Sequence, residues 1–278
     1  MTLQRKTIGL DDGFRIGYLE GGEGRTLVFL HGLSLSSEAY AEMLELLAGN
    51  GFYVYAIDLP GHGRTDSLPW GHTVEDSASV IDSAMYEIGL VDDVIVGHSM
   101  GGAVAAELAG SFGGRFSDLI LLDAAVGEEH HRSLEVGHPA SLPVRAAQSV
   151  AGMALDIFGD VRKAGSIRRL RERLSLADRV GGSFAGFGCL SSAYALLRYD
   201  SSYALSALNV IGGVNVTHVH GLEDRIVPWE AAFDAASDTG GYVLPLVGRF
   251  HSWMISEPEL ALEVIQKAVQ PPDSQEAA

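Results

Sequence analysis

The sequence predicts an α/β fold: a mostly parallel central sheet flanked by helices. Three observations carry the prediction. Short β-rich runs alternate with longer runs of helical periodicity through the first 126 residues. Several strand runs are continuously apolar, as strands covered on both faces are. The alternation stops near residue 127 and resumes near residue 214, leaving a long stretch with no such run.

The elements follow in order. FRIGYLEGG (14–22) alternates and ends in a Gly-rich turn, and TLVFLHG (26–32) reads as a strand buried on both faces. SSEAYAEMLELLAGNG (36–51) offers a capping serine, apolar residues at helical spacing and a Gly stop. FYVYAID (52–58) is strand-like, TVEDSASVIDSAMYEIGL (73–90) helix-like, DVIVGHS (93–99) strand-like, MGGAVAAELAGSF (100–112) helix-like and DLILLDAA (118–125) strand-like. After the gap come VNVTHVHG (214–221, strand), PWEAAFDAAS (228–237, helix), GYVLPLVG (241–248, strand) and EPELALEVIQKAV (257–269, helix). Residues 1–126 and 209–270 are therefore expected to form the core. Residues 127–208 are expected to be a helical cap or lid inserted after the sixth strand, and 271–278 a flexible tail.

Composition narrows the function. With 278 residues and 47% hydrophobic content there is material for one large core. A net charge of −17 excludes nucleic acid as a partner, because a polyanion is repelled. The single cysteine, Cys189, permits no intramolecular disulfide. No run resembles a signal peptide or approaches 18 uninterrupted apolar residues, so no stable membrane insertion is expected and the default location is cytoplasmic.

Val94 to Gly110, VIVGHSMGGAVAAELAG, places Ser99 at a turn from strand to helix. Gly and Ser also make ordinary βα turns. Here the small residues Gly97 and Gly101 bracket one hydroxyl, Gly102 allows close helix–sheet packing, and the following helix aims its first N–H groups near the hydroxyl. That pattern makes a serine nucleophile. A serine hydroxyl needs a base, and the base needs an orienting acid. VHGLEDRIVP places Asp224 after a strand, with Pro228 opening the next helix, and LVGRFHSW places His251 after the last strand. All three lie beyond the C-terminal ends of parallel strands, where such sheets build sites. The backbone N–H groups of Leu33 and Met100 are placed to form an oxyanion hole.

With these motifs in order, the chain resembles the α/β-hydrolase superfamily, serine-nucleophile branch, outside residues 127–208. The motifs are His31–Gly32, DLPGHGRT (58–65), GHSMGG (97–102), GLEDRIVP (221–228) and HSWMISEP (251–258). The resemblance implies an α/β-hydrolase fold, a triad of Ser99, Asp224 and His251, and hydrolysis of a small-to-medium carboxylic ester through an acyl-enzyme. It implies no cofactor or metal. Lactonases, thioesterases and hydrolases of carbon–carbon bonds share this skeleton, as do perhydrolases in which peroxide replaces water. A ligand receptor with slow turnover is the alternative from another class. Phe250 stands before the catalytic-type histidine where Gly is common.

Other residues are read as follows. Asp123 is the alternative acid, and Asp58, His62 and Arg64 are structural. His130, His131 and His138 are read as solvated surface, His218 and His220 as packing. Arg162, Lys163, Arg168, Arg169, Arg171 and Arg173 form either a solvated helix face or a device that steers an anionic acyl substrate. His31, Gly32, Phe184, Phe187 and Trp253 are the expected substrate pocket. Oligomeric state is left open.

Overall fold

The computed structural model describes residues 2–90, 93–111, 114–135, 144 and 187–269. Eight strands form one sheet in the order β1-β2-β4-β3-β5-β6-β7-β8. They span Gln4–Gly9 (β1), Arg15–Gly22 (β2), Arg25–Leu30 (β3), Phe52–Ile57 (β4), Asp93–His98 (β5), Phe116–Leu122 (β6), Asn215–Gly221 (β7) and Tyr242–Leu246 (β8). β2 runs antiparallel to both β1 and β4, and β3 through β8 are mutually parallel. The continuous apolar runs are the central strands: Leu27–Leu30, Val94–Val96 and Leu119–Leu122 are buried throughout. β1 carries no such signal. Its QRKTIG is mostly exposed and is tied down by charge, with Arg5 pairing to Glu38 and Asp58 and Lys6 to Glu20.

Helices cover both faces. They are α1 (Ala41–Ala48), α2 (Val74–Ile88), α3 (Met100–Ser111), α4 (Glu128–Glu135), α5 (Phe187–Leu196), α6 (Ser202–Ile211), α7 (Glu230–Thr239), α8 (Trp253–Ser256) and α9 (Pro258–Ala268). One apolar cluster packs α2, α3, α6 and α7 against one face, and another packs α1, α8 and α9 against the other. Helix α2 starts at a capping box of Thr73 and Asp76 and ends at Gly89 in the left-handed region. The helix expected at 36–51 is shorter. Ser36 makes no side-chain cap, and a 3-10 turn spans Ser37–Tyr40 before α1. Ser37 instead bonds Ala56 O and Asp58, which draws this turn onto the end of β4.

Helix α3 is buried from Met100 to Gly110 on every side, which explains its run of Ala and Gly. A Cβ at Gly110 would sit 2.6 Å from the Ala204 carbonyl oxygen on α6. Every described element between β6 and β7 is helical. Most of the expected insertion, including the basic stretch 162–173, His138 and Phe184, lies outside the described residues, as does the expected tail 271–278.

Candidate active site

The loops that follow β3, β5, β6, β7 and β8 meet on one rim of the sheet. Ser99 sits between β5 and α3 at φ 54°, a strained conformation for a residue with a side chain. The small residues around it are required by contact. A Cβ at Gly97 would lie 2.7 Å from the Gly101 carbonyl carbon, and one at Gly101 would lie 2.6 Å from the His31 carbonyl oxygen. The Ser99 hydroxyl is buried and has no hydrogen-bond partner among the described residues.

His251 Nδ1 lies 2.8 Å from Asp224 Oδ2. Asp224 Oδ1 accepts the N–H groups of Ile226 and Val227, so its carboxylate is held at both ends. Burial raises its pKa, but the charge of His251 and hydrogen bonds from His220 and His251 outweigh burial and hold it below the ordinary range. The two loops are fastened together. Glu223 N–H donates to Arg249 O at 2.9 Å, and Leu222 N–H donates to Leu246 O at 3.0 Å.

His98 joins His251 to the turn that carries Ser99. Its ring lies 4.8 Å from that of His251, and its Nε2 is 2.9 Å from the His251 carbonyl oxygen. Its Nδ1 is 2.6 Å from Tyr40 Oη, which accepts the Gly32 N–H at 3.1 Å. The ends of this chain fix the tautomer. Gly32 N–H can only donate and a carbonyl can only accept, so Tyr40 donates to Nδ1 and Nε2–H donates to His251 O. Burial and the neighbouring His251 push His98 down to about 3, which keeps it neutral. The chain thereby links the loop 31–33, the elbow and the backbone of His251.

Asp123, the alternative acid, stands at φ 43° and is otherwise engaged. Its Oδ2 accepts Trp253 Nε1–H at 2.6 Å and its Oδ1 accepts Gly221 N–H at 2.8 Å. Burial pushes it up to about 7, although two N–H donors suit a carboxylate. Asp123, His220 and Asp224 have ligand atoms within 4.8 Å of one another. The N–H hydrogens already on both carboxylates oppose a cation there. His220 does more than pack, since its Nε2 lies 3.4 Å from Asp224 Oδ2 and 3.1 Å from Val227 O.

An apolar cavity of about 160 Å³ opens onto Ser99. Its described walls are Leu33 and Ala125 from the rim, Ala193, Leu196 and Leu197 from around α5, Ile226 and Val227 from the loop of Asp224, and His130 and Leu134 from α4. This differs from the expected pocket. His31 is fully buried and accepts Leu59 N–H, and Gly32 packs against His98 and Ser99. Phe187 is exposed against Trp70, and Trp253 points at Asp123. His130, expected on the surface, is buried and lines the cavity. The signal for it was Leu134, four residues on and hence on the same helical face. The structural reading of the 58–65 loop agrees with its contacts: Asp58 takes Arg5 and the N–H groups of Ser37 and Arg64, and His62 accepts Ser34 N–H.

Burial holds His62, His98, His130 and His218 each down to about 3, against an ordinary 6.5. With folded values lowered, the unfolded chain takes up protons below pH 6.5 that the folded chain refuses. Stability is therefore lost as pH falls from 6.5 toward 3. At pH 5 each imidazole costs about 2 kcal/mol, so the group approaches the roughly 5–15 kcal/mol that holds a domain together. The thermal midpoint is expected to fall by about 15 °C between pH 7 and pH 5. A midpoint that stays level to pH 5 in calorimetry would show that these rings are not buried neutral.

A profile of the alpha/beta hydrolase family matches residues 27–264. The chain is 42% identical over 267 residues to a protein of Mycobacterium phage D29 provisionally named a non-heme haloperoxidase, covering 96% of this chain and 95% of that protein. It is 29% identical over 241 residues to the non-heme haloperoxidase of Rhodococcus erythropolis, covering 78% and 81%. Among solved structures, the bromoperoxidase from Bacillus anthracis superposes with a TM-score of 0.77 over 96% of this chain and 100% of that one, at 19% identity, a likeness of fold. A match through 27–264 and close kinship along nearly the whole length make the chain a member of the alpha/beta hydrolase family of enzymes.

Proposed function

We propose that the protein hydrolyses a small-to-medium carboxylic ester, or a related acyl compound, through an acyl-enzyme on Ser99. The observation that carries this is a buried serine hydroxyl on a strained turn that opens onto an apolar cavity, with a bonded His–Asp pair on the same rim of the sheet. Asp224 accepts His251 Nδ1–H, which leaves the Nε2 lone pair to take the Ser99 proton as the hydroxyl oxygen attacks the carbonyl. The N–H groups of Leu33 and Met100 hold the oxyanion. Met100 is the first residue of α3, and the Cβ position at Gly32, next to Leu33, lies 3.3 Å from Ser99 Cβ. His251 returns the proton to the alcohol as the ester C–O bond breaks; it then takes a proton from water as the water oxygen adds to the acyl carbon, and gives it to Ser99 Oγ as the Oγ–acyl bond breaks and the acid leaves. Lactones, thioesters and carbon–carbon substrates use the same steps with another leaving group.

A second reading is favoured by the names of two relatives, both haloperoxidases. Hydrogen peroxide replaces water in deacylation, releasing a peroxy acid and free Ser99. The peroxy acid then transfers one oxygen to a halide, giving hypohalite and the carboxylic acid. Treatment with a fluorophosphonate, followed by peptide mass spectrometry, is expected to place one adduct on Ser99 and to stop turnover of activated esters. Peroxide and bromide added to the assay then test the second reading through bromination that requires an acyl donor. An adduct elsewhere, or ester turnover that survives full labelling of Ser99, removes the proposal.

A further inference from the structure

His130 is the one polar side chain besides Ser99 among the described residues lining the cavity. It is 4% exposed, and neither ring nitrogen has a hydrogen-bond partner among the described residues. A buried imidazole left in this state is costly, and chains rarely keep one without use. Its place is firmly set. Gly127 N–H donates to Ser201 Oγ, Glu129 N–H donates to Asp234, and the neighbouring ring of His131 accepts Ser201 N–H. Those bonds fasten the start of α4 to Ser201 and to α7. His130 and Leu134, four residues apart and so on one helical face, form part of the cavity wall.

The chemistry of the ring narrows what it receives. Burial, with His131 and His251 nearby, pushes His130 down to about 3, so it is a neutral imidazole with one donor and one acceptor nitrogen. The described cavity walls carry no Lys or Arg to meet a carboxylate. A volume of about 160 Å³ is that of roughly five water molecules. An acyl chain attached at Ser99 enters a small cavity of which His130 forms part of the wall.

We propose that His130 is the specificity-determining residue of the acyl pocket, selecting uncharged acyl groups that carry an ether, keto or hydroxyl oxygen a few atoms beyond the reacting carbonyl. This rests on the acyl-enzyme reading of Ser99. The described walls supply no cation for an anionic acyl tail. Replacing the oxygen by methylene leaves His130 buried and unsatisfied, which costs specificity more than the lost bond alone.

The test compares activated esters of matched shape at two lengths: methoxyacetyl against butanoyl, and 3-methoxypropanoyl against pentanoyl. In the wild-type enzyme kcat/KM is expected to favour the ether member at one length or both. In His130→Leu the ether-to-methylene ratio is expected to fall roughly tenfold, and in His130→Gln to recover in part. His130→Leu removes a buried unsatisfied polar group, so its melting temperature should hold or rise. A second readout needs no turnover. The imidazole 15N resonances missing from the His130→Leu spectrum should shift when 2-methoxyacetamide is added and stay in place with butanamide. A ratio unchanged at both lengths, or lost equally for all four esters, overturns the proposal. Absence of Ser99-dependent ester turnover overturns the hydrolase reading, and the resonance shift then reports separately on whether His130 binds the oxygen.

Discussion

Ser99→Ala is expected to lower kcat for activated esters by about 10⁵-fold or more while making the folded protein more stable. Loss of a serine nucleophile alone costs on the order of 10⁶ in kcat in a comparable triad enzyme. The opposite sign for stability follows from this structure. The hydroxyl is buried with no partner among the described residues, and that desolvation penalty of about 1 kcal/mol or more disappears with the oxygen. The backbone strain at φ 54° remains in alanine, so Ser99→Gly should gain further. Calorimetry should show a rise of about 2 °C for the alanine variant and more for glycine. A variant that melts lower would mean that the hydroxyl is bonded in solution. Residual turnover within tenfold of wild type would remove Ser99 from the chemistry.

Asp224→Asn is the second large effect, an expected fall of about 10⁴ in kcat. The two oxygens are distinguishable, and this decides how an amide would sit. Oδ1 receives the N–H groups of Ile226 and Val227, so an –NH2 group there would meet two donors. The amide carbonyl must therefore take that place, which turns –NH2 toward His251 Nδ1. His251 would then hold its proton on Nε2 and could not accept one from Ser99. Asp123→Asn should cost far less in kcat and show chiefly in stability, because its oxygens serve Trp253 and Gly221. Steady-state kinetics of the two variants at saturating ester separates the roles. If Asp123→Asn proved the more damaging, the acid would have to be reassigned.

The fold was legible wherever burial on both faces writes itself as an unbroken apolar run, as in β3, β5 and β6. It was illegible in β1, a mostly exposed strand laddered to β2, whose further ties are ion pairs from Arg5 to Asp58 and from Lys6 to Glu20. The break at Ser37–Tyr40 was equally hidden, since helical spacing continues through it and Asp58 supplies the competing bond. At the candidate site, local turn patterns mark Ser99, Asp224 and His251, whose loops meet on one rim. His98, Tyr40 and His220 carry no such mark, because their importance lies in whom they touch: the His251 carbonyl, the Gly32 N–H and the Asp224 carboxylate. His130 was misjudged for the same reason. Its immediate neighbours in sequence are polar, and Leu134, four residues on, is the one apolar mark of the face that α4 turns to the cavity.

Because α3 is enclosed by the sheet, by α2 and by α6, its amides are shielded more fully than those of any loop on the rim. Ser99 is thus joined to a fully buried helix, whereas Asp224 and His251 ride on connections between elements. Thermal loosening would first uncouple the charge partners and leave the serine in place, so the enzyme would fall silent before it came apart.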